Sequence, residues 1–217
     1  KKDLEILRLM LIRRLPSLYV EMGCWTEMAE FYLDLGKYDS SAWAVEQGQK
    51  ILTQGNFSSH LLQAELDVLA SHVCWLTGDY ERGEHILERA ESILPERHPL
   101  LPRMVIRQSS IARRTGAISK AAGLVQKAMT SAQQQRMRYP DKEIWVSLHI
   151  SSSNIHIAQE AYGPALEDLN QARTYLDSLP NGMPVELSLI YLNYGSIYQR
   201  LGQVAQGIAH YQKALDL

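Results

Sequence analysis

The sequence predicts an all-α fold, a right-handed α–α superhelix (solenoid) of about five tandem helix-turn-helix repeats. Similar segments recur along the chain, and their turn residues are separated by 42, 38, 44 and 42 positions. Apolar residues precede the first turn at the spacing of a helix, as at Trp25, Met28, Ala29 and Tyr32. Small residues follow each turn at fixed offsets. Such repeats are typical of a solenoid, because each pair of helices buries its apolar face against the next pair.

A turn residue separates the two helices of each repeat. Glycine suits this position because it adopts the left-handed conformation at a helix end without a Cβ penalty. The turn residues are Gly36, Gly78, Gly116, Glu160 and Gly202, so the fourth repeat has glutamate where glycine is expected. The second helices are predicted to begin two residues later, at Tyr38, Tyr80, Ile118, Tyr162 and Val204, whose side chains could fill the wedge between the paired helices.

Small side chains recur on the second helices and are predicted to let the two helices of a repeat approach closely. One set lies five residues after the turn residue, at Ser41, Gly83, Ala121, Ala165 and Gly207. A second set lies seven residues further on, at Gly48, Ala90, Ala128, Ala172 and Ala214. Pro95 and Pro180 are predicted to end second helices, because proline cannot donate to the helix ladder.

These signals also predict the domain organisation. An amphipathic helix over Leu4–Arg14, within residues 1–21, is interpreted as the end of a preceding repeat. The five repeats are then expected at about 22–59, 60–99, 100–140, 141–183 and 184–217. We expect the chain to be a fragment of a longer protein, whose remaining domains are among its partners.

Charge and cysteine content exclude several classes of protein. The chain has 22 Lys and Arg residues against 24 Asp and Glu residues, a net charge of −2, so no bulk positive field would hold a nucleic acid. Cys24 and Cys74 are too few for a disulfide-stapled secreted domain or a four-cysteine zinc site. No apolar run approaches the roughly 18–20 residues of a membrane span. We therefore expect no membrane partner, no direct nucleic acid binding by this fragment, and a cytoplasmic location, or a nuclear one in a eukaryote.

No motif for catalysis, a cofactor or a metal is present. The sequence lacks a Walker loop, GxGxxG, GxSxG, HExxH and paired CxxC motifs. His149 and His156 share a helix face but lack a third metal ligand at a defined offset, so we interpret them as packing or surface residues. His72 and Cys74, two residues apart, diverge on a helix and do not form a nucleophile pair. We predict that the chain is not an enzyme and has no catalytic, cofactor-binding or metal-binding residue.

Aromatic, glycine, alanine and proline residues recur at characteristic positions, most clearly at Trp25, Tyr32, Gly36 and Tyr38 and at Gly78, Tyr80, Ala90 and Pro95. This pattern resembles the tetratricopeptide repeat over about residues 22–217. Because the usual repeat has about 34 residues, the wider spacing implies longer helices or loops. The resemblance implies a protein-binding superhelix whose first helices form the concave face.

The resemblance further implies that a partner contacts the second, fifth, ninth, twelfth and thirteenth positions of each repeat. From these positions we take the candidate partner-binding residues Val68, His72, Trp75, Leu76, Arg103, Ile106, Arg113, Arg114, Ile150 and Asn154. The carboxylate clamp of chaperone-binding members, built on Lys and Asn, is not reproduced, so chaperone C-terminal tails are not the favoured ligand.

Trp75 and nearby arginines indicate the chemistry of the partner, since interfaces are enriched in both residue types. A Trp75–Leu76 patch beside Arg103 and Arg113 would suit an extended or helical peptide with apolar anchors and acidic flanks. Two other interpretations stay open. Trp75 could be buried against a neighbouring loop, and the arginines, with Arg107 among them, could be solvated or could complement the negative end of a helix.

The sequence therefore predicts a non-catalytic protein–protein interaction scaffold that binds a peptide or protein segment on a concave face. Two alternatives come from other classes. Repeats of about this length also resemble the effector-sensing domains of MalT-like bacterial transcription regulators, and long irregular helical repeats form structural arms of large eukaryotic assemblies.

Overall fold

A computed structural model describes residues 18–54, 60–95, 98, 100–135, 142–180 and 182–217. Within those ranges the regular structure is entirely helical, which confirms the all-α prediction. The predicted helix Leu4–Arg14 lies outside the described residues. The helices are α1 Leu18–Asp34, α2 Tyr38–Gln54, α3 His60–Thr77, α4 Tyr80–Ile93, α5 Leu100–Arg114, α6 Ile118–Gln135, α7 Lys142–Ala158, α8 Tyr162–Asp177, α9 Pro184–Arg200 and α10 Val204–Leu215.

Consecutive helices pack as tandem helix-turn-helix pairs, as the sequence predicts. Contacts join α1 to α2, α3 to α4, α7 to α8 and α9 to α10. Ser109 on α5 donates a hydrogen bond to the Ala121 carbonyl oxygen on α6 (3.2 Å), which joins the remaining pair. The chain divides into two compact units, residues 1–107 and 108–217, and each is described separately below.

The core of each unit lies between neighbouring helices. In the first unit, apolar residues of α1, α2 and α3 form one buried cluster of Met28, Ala29, Tyr32, Ala44, Val45 and Leu69. In the second unit, the largest such cluster joins α7, α8 and α9 through Val146, Ile150, Ala165, Leu169, Ala172, Leu176, Ile190 and Ile197. Among the described helices, none is both long enough and apolar enough to span a bilayer.

The turns have the predicted conformation. Gly36, Gly78, Gly116 and Gly202 have φ angles of 67°, 85°, 85° and 75°, and Glu160 has 59°. In each turn the following residue donates a backbone hydrogen bond five residues back, as from Lys37 to Tyr32 (2.8 Å). This bond closes the first helix in a Schellman motif, which requires the left-handed residue. The second helices begin at the five predicted residues.

Glu160 occupies the left-handed conformation at a cost that glycine would avoid. We expect Glu160→Gly to raise the free energy of unfolding by about 1 kcal/mol, since a side chain in this conformation costs roughly 1–2 kcal/mol. The Glu160 side chain is exposed, so its removal loses no packing. Urea denaturation measures the change, with Gly202→Ala as the matched control expected to shift stability in the opposite direction. A loss of stability in Glu160→Gly would contradict this account.

The small residues lie where the paired helices meet. Ser41, Gly83, Ala121, Ala165 and Gly207 are all buried, and so are the later residues of the pattern except the partly buried Ala214. A Cβ on Gly207 would lie 3.1 Å from the Gly195 carbonyl oxygen, which confirms the close approach of α9 and α10.

The residues that begin the second helices differ in burial. Tyr162 packs against the large core cluster of the second unit. Tyr38 and Val204 remain 37% and 57% exposed, so the prediction that they fill the wedge between helices is wrong for these two.

Candidate functional site

One face of α3 in the first unit presents four of the candidate residues. Val68, His72, Trp75 and Leu76 are partly exposed, whereas Leu62, Leu66, Leu69 and Val73 on the opposite side are buried. His72 lies four positions after Val68, and Trp75 and Leu76 lie three and four positions after His72, which places these residues along one stripe of the helix. Because the buried side of α3 is held in the core, this stripe has a fixed position.

Helices α1 and α5 border the same face. Arg103 on α5 is exposed and Ile106 is partly exposed. Glu30 on α1 interacts electrostatically with Arg103 and with Glu65 on α3. The first helices of this unit therefore contribute to one surface, which we term the α1–α3–α5 face.

His72, Trp75 and Arg107 form a contact cluster on this face. The His72 and Trp75 ring centroids are 6.1 Å apart, and the Arg107 guanidinium carbon lies 5.6 Å from the centroid of the Trp75 ring. Burial, together with the positive charge of Arg107, lowers the pKa of His72 to about 3. His72 is consequently neutral at pH 7, and Arg107 supplies the only cationic charge within this trio.

Two nitrogen atoms in the cluster lack an acceptor. Trp75 Nε1 and Arg107 Nε are buried and have no hydrogen-bond partner among the described residues. Burial lowers the pKa of Arg107 to about 10. The interpretation of Arg107 as a solvated residue is therefore wrong, and its contact with Trp75 was not predictable because the two residues lie on different helices.

Acidic residues occupy the part of this face formed by α1 and α3. Burial and the neighbouring charges of Glu27, Asp34 and Glu65 raise the pKa of Glu30, against the opposing effect of Arg103. Burial also raises the pKa of Glu65. The face therefore carries both signs of charge, whereas the sequence indicated mainly basic residues.

The other four candidates lie in the second unit. Arg113 is partly exposed and Arg114 exposed in the last turn of α5, and Asn154 is partly exposed on α7. Ile150 is only 6% exposed and belongs to the large core cluster. Its selection as a partner-binding residue is corrected, because α8 and α9 cover its side chain.

A polar cluster joins α7 to α8 in the second unit. Nδ1 of His149 lies 2.9 Å from Oδ1 of Asp168, and Nδ1 of His156 lies 3.0 Å from Oδ2. The His149 ring stacks on Tyr175 at 5.8 Å and lies 6.0 Å from Trp145. The sequence placed both histidines on one face but did not identify Asp168. No group with metal-binding geometry occurs among the described residues.

A buried ion pair joins α3 to α4 in the first unit. Asp67 is fully buried and accepts hydrogen bonds from Arg89 Nε (2.9 Å), Arg89 Nη2 (2.5 Å) and Gln63 (2.7 Å). The sequence did not identify this pair. Its one signal was an aspartate within residues 66–70, where the other four residues are apolar.

Comparisons with known proteins agree with this architecture. A family model of the tetratricopeptide repeat matches residues 189–217. The crystal structure of BtubC (BKLC) from P. vanneervenii is similar, with a TM-score of 0.69 and 14% identity over 99% of this chain and 86% of that chain. A second similar structure is the crystal structure of nearly identical TPR-like repeats from a kinesin light chain named for Podospora anserina. It has a TM-score of 0.60 and 16% identity over 90% of this chain and 93% of that chain. A search of curated protein sequences found no match.

Proposed function

We propose that this chain, whose fold is that of a tetratricopeptide-like repeat protein, is a non-catalytic scaffold that binds a peptide or protein segment on its first helices. Repeats of this kind generally mediate protein–protein interaction. The observation that carries the proposal is the partly exposed stripe of Val68, His72, Trp75 and Leu76 on α3. Tryptophan is among the residue types on which binding energy concentrates at interfaces, so Trp75 is the central residue of this stripe.

The proposed mechanism is burial of apolar anchors of the partner against Val68, Trp75 and Leu76. The opposite side of α3 is already packed, so little ordering of the protein would accompany binding. Charged groups of the partner would be oriented by Arg103 and by Glu30 and Glu65, which favour one direction of the segment over the other.

The cysteines support a non-catalytic role. Cys24 and Cys74 are both free and buried, and burial raises the pKa of each thiol. A thiol with a raised pKa is a poor nucleophile, because the thiolate is the reactive species. The effector-sensing and structural-arm alternatives stay predictions, since no feature of this surface favours either one.

Trp75→Ala is expected to weaken binding of peptides selected from a random library by about tenfold or more, because the indole would be the main apolar contact. Fluorescence anisotropy with a labelled peptide measures the affinity, and circular dichroism checks the helical content. Trp43→Ala is the matched control, because Trp43 is a 47% exposed tryptophan on α2 and outside the stripe. Equal losses in both variants, or none in Trp75→Ala, would contradict the placement of the partner on α3.

A further inference from the structure

Arg107 differs from Arg89 and Arg173, because each of those two arginines contacts a carboxylate, whereas no carboxylate contacts Arg107 among the described residues. A hydrogen bond to Asp67 raises the pKa of Arg89, and hydrogen bonds to Asp177 and Tyr191 raise that of Arg173. Burial alone accounts for the lowered pKa of Arg107, and its Nε has no acceptor in the described part of the chain. A largely buried guanidinium without an anion is costly, and an anion from a partner could reach it only through the part of the side chain that stays exposed.

We propose that Arg107 binds a carboxylate of the partner segment, an aspartate or glutamate side chain placed beside the indole of Trp75. This inference rests on the proposed function, because it specifies the chemistry of the segment bound on the α1–α3–α5 face. Arg107 is partly exposed, so part of its side chain faces outward while the Trp75 ring lies against the guanidinium. A guanidinium in this position can donate two parallel hydrogen bonds to one carboxylate.

The charge of the surroundings favours a monoanion. His72 is neutral, so Arg107 alone offers a positive charge within the cluster. Glu30 and Glu65 lie on the same α1–α3–α5 face and would repel a dianionic phosphate group more strongly than a carboxylate.

Arg107 is not one of the positions that the family resemblance selects. It follows Ile106, the candidate at the fifth position of its repeat, and it reaches the face by stacking on Trp75 of the preceding pair. The proposed subsite thus depends on this particular tryptophan–arginine contact. It does not reproduce a clamp of lysines and asparagines.

Selection from a library of random peptides with amidated C-termini tests the proposal, because amidation leaves side chains as the only carboxylates. We expect peptides selected by the unmodified chain to be enriched in Asp or Glu at one position relative to an apolar anchor. Enrichment should disappear for Arg107→Gln and persist for Arg82→Gln, the matched control, because Arg82 is an exposed arginine on α4 and lies outside the α1–α3–α5 face. For a selected peptide, replacing its acid by the amide should weaken binding roughly 30-fold with the unmodified chain and little with Arg107→Gln.

The outcomes separate this inference from the proposed function. The carboxylate subsite would be overturned if the selected peptides show no acidic preference, or if that preference survives Arg107→Gln. Either result would leave peptide binding itself intact. If the unmodified chain selects no peptide, the proposed function itself is contradicted and the subsite with it.

A second variant separates a binding role from a structural one. Arg107→Leu keeps an apolar side chain against Trp75 and removes the buried charge, so it should raise the thermal midpoint by about 2–4 °C while abolishing the acidic preference. A lower midpoint in Arg107→Leu would show that the guanidinium is needed for the fold, and would overturn the view that its anion comes from a partner.

Discussion

Arg89→Ala is expected to lower the free energy of unfolding by about 3 kcal/mol, because it leaves the carboxylate of Asp67 buried without its cation. Asp67 is fully buried, and the bidentate contact with Arg89 supplies two of its three hydrogen bonds. Gln63 alone would remain as a donor. We take the low end of the range for a stranded buried charge, since Arg89 is 54% exposed and its removal lets water approach.

Replacing the acidic partner, Asp67, should lower the free energy of unfolding by less than replacing Arg89 does. Asp67→Asn removes the charge that needs compensation and leaves Arg89 half exposed, where water can hydrate it. We expect a loss of about 1 kcal/mol for Asp67→Asn, and the double variant should be more stable than Arg89→Ala alone. Urea denaturation at neutral pH measures all three.

A surface ion pair provides the control for this asymmetry. Arg173 Nε lies 2.7 Å from Asp177, whose side chain is 57% exposed. Because exposed pairs contribute little, Asp177→Asn should change stability by less than about 1 kcal/mol. If Arg89→Ala lowers the free energy of unfolding no more than Asp67→Asn does, then leaving a buried carboxylate unpaired is not what makes the loss of Arg89 destabilising.

Features encoded locally could be predicted from the sequence. Gly36, Gly78, Gly116 and Gly202 could be placed in left-handed turns because glycine tolerates that conformation, and the start of each second helix followed by counting. Glu160 shows the strength of this pattern, since the turn forms there without glycine. The burial of the small residues was predictable for a related reason, because only their size permits the close approach of helices.

Contacts between helices could not be predicted in the same way. Asp67 and Arg89 are 22 positions apart, and nothing in either local sequence identifies the other. Helical spacing placed His149 and His156 on one face, but Asp168 comes from the following helix. Which side chains meet depends on the rotation of each helix about its axis, and that rotation is set by packing.

Ile150 shows where counting positions fails. Counting from the turn placed it among the candidate partner-binding residues, yet α7 has buried residues on more than one side: Val146, Leu148, Ile150, Ser151, Ser153 and Ile155. A helix packed against several neighbours has fewer exposed positions than the family pattern implies. Arg107 shows a different limit, because its charge favours a solvated side chain whereas the structure places its guanidinium against the Trp75 ring.

Asp168 is the second residue whose replacement should have a large effect, and that effect should depend on pH. Burial alone would raise the pKa of Asp168, but hydrogen bonds from His149 and Ser152 and attraction to His149 and His156 lower it overall. A carboxyl group with a lowered pKa in the folded state stabilises the fold above its unfolded pKa of about 3.9. This contribution is lost as the pH falls through the folded pKa.

Asp168→Asn imitates the protonated carboxyl group. The loss in the free energy of unfolding that it causes should therefore follow the same pH dependence. At pH 6 we expect a loss of about 2–3 kcal/mol, because two charge-assisted hydrogen bonds between α7 and α8 are weakened. As the pH falls below about 3.9, Asp168 becomes protonated first in the unfolded chain, so the difference between the two proteins should shrink, and it should vanish once the pH falls through the lowered pKa of the folded state. Urea denaturation of both proteins at several pH values measures this difference.

The control is Asp177→Asn, on the exposed side of the same helix, whose free energy of unfolding should differ little from that of the unmodified chain at every pH. A cost that stays constant from pH 6 to acidic pH would mean that Asp168 joins these helices through its shape and not through its charge.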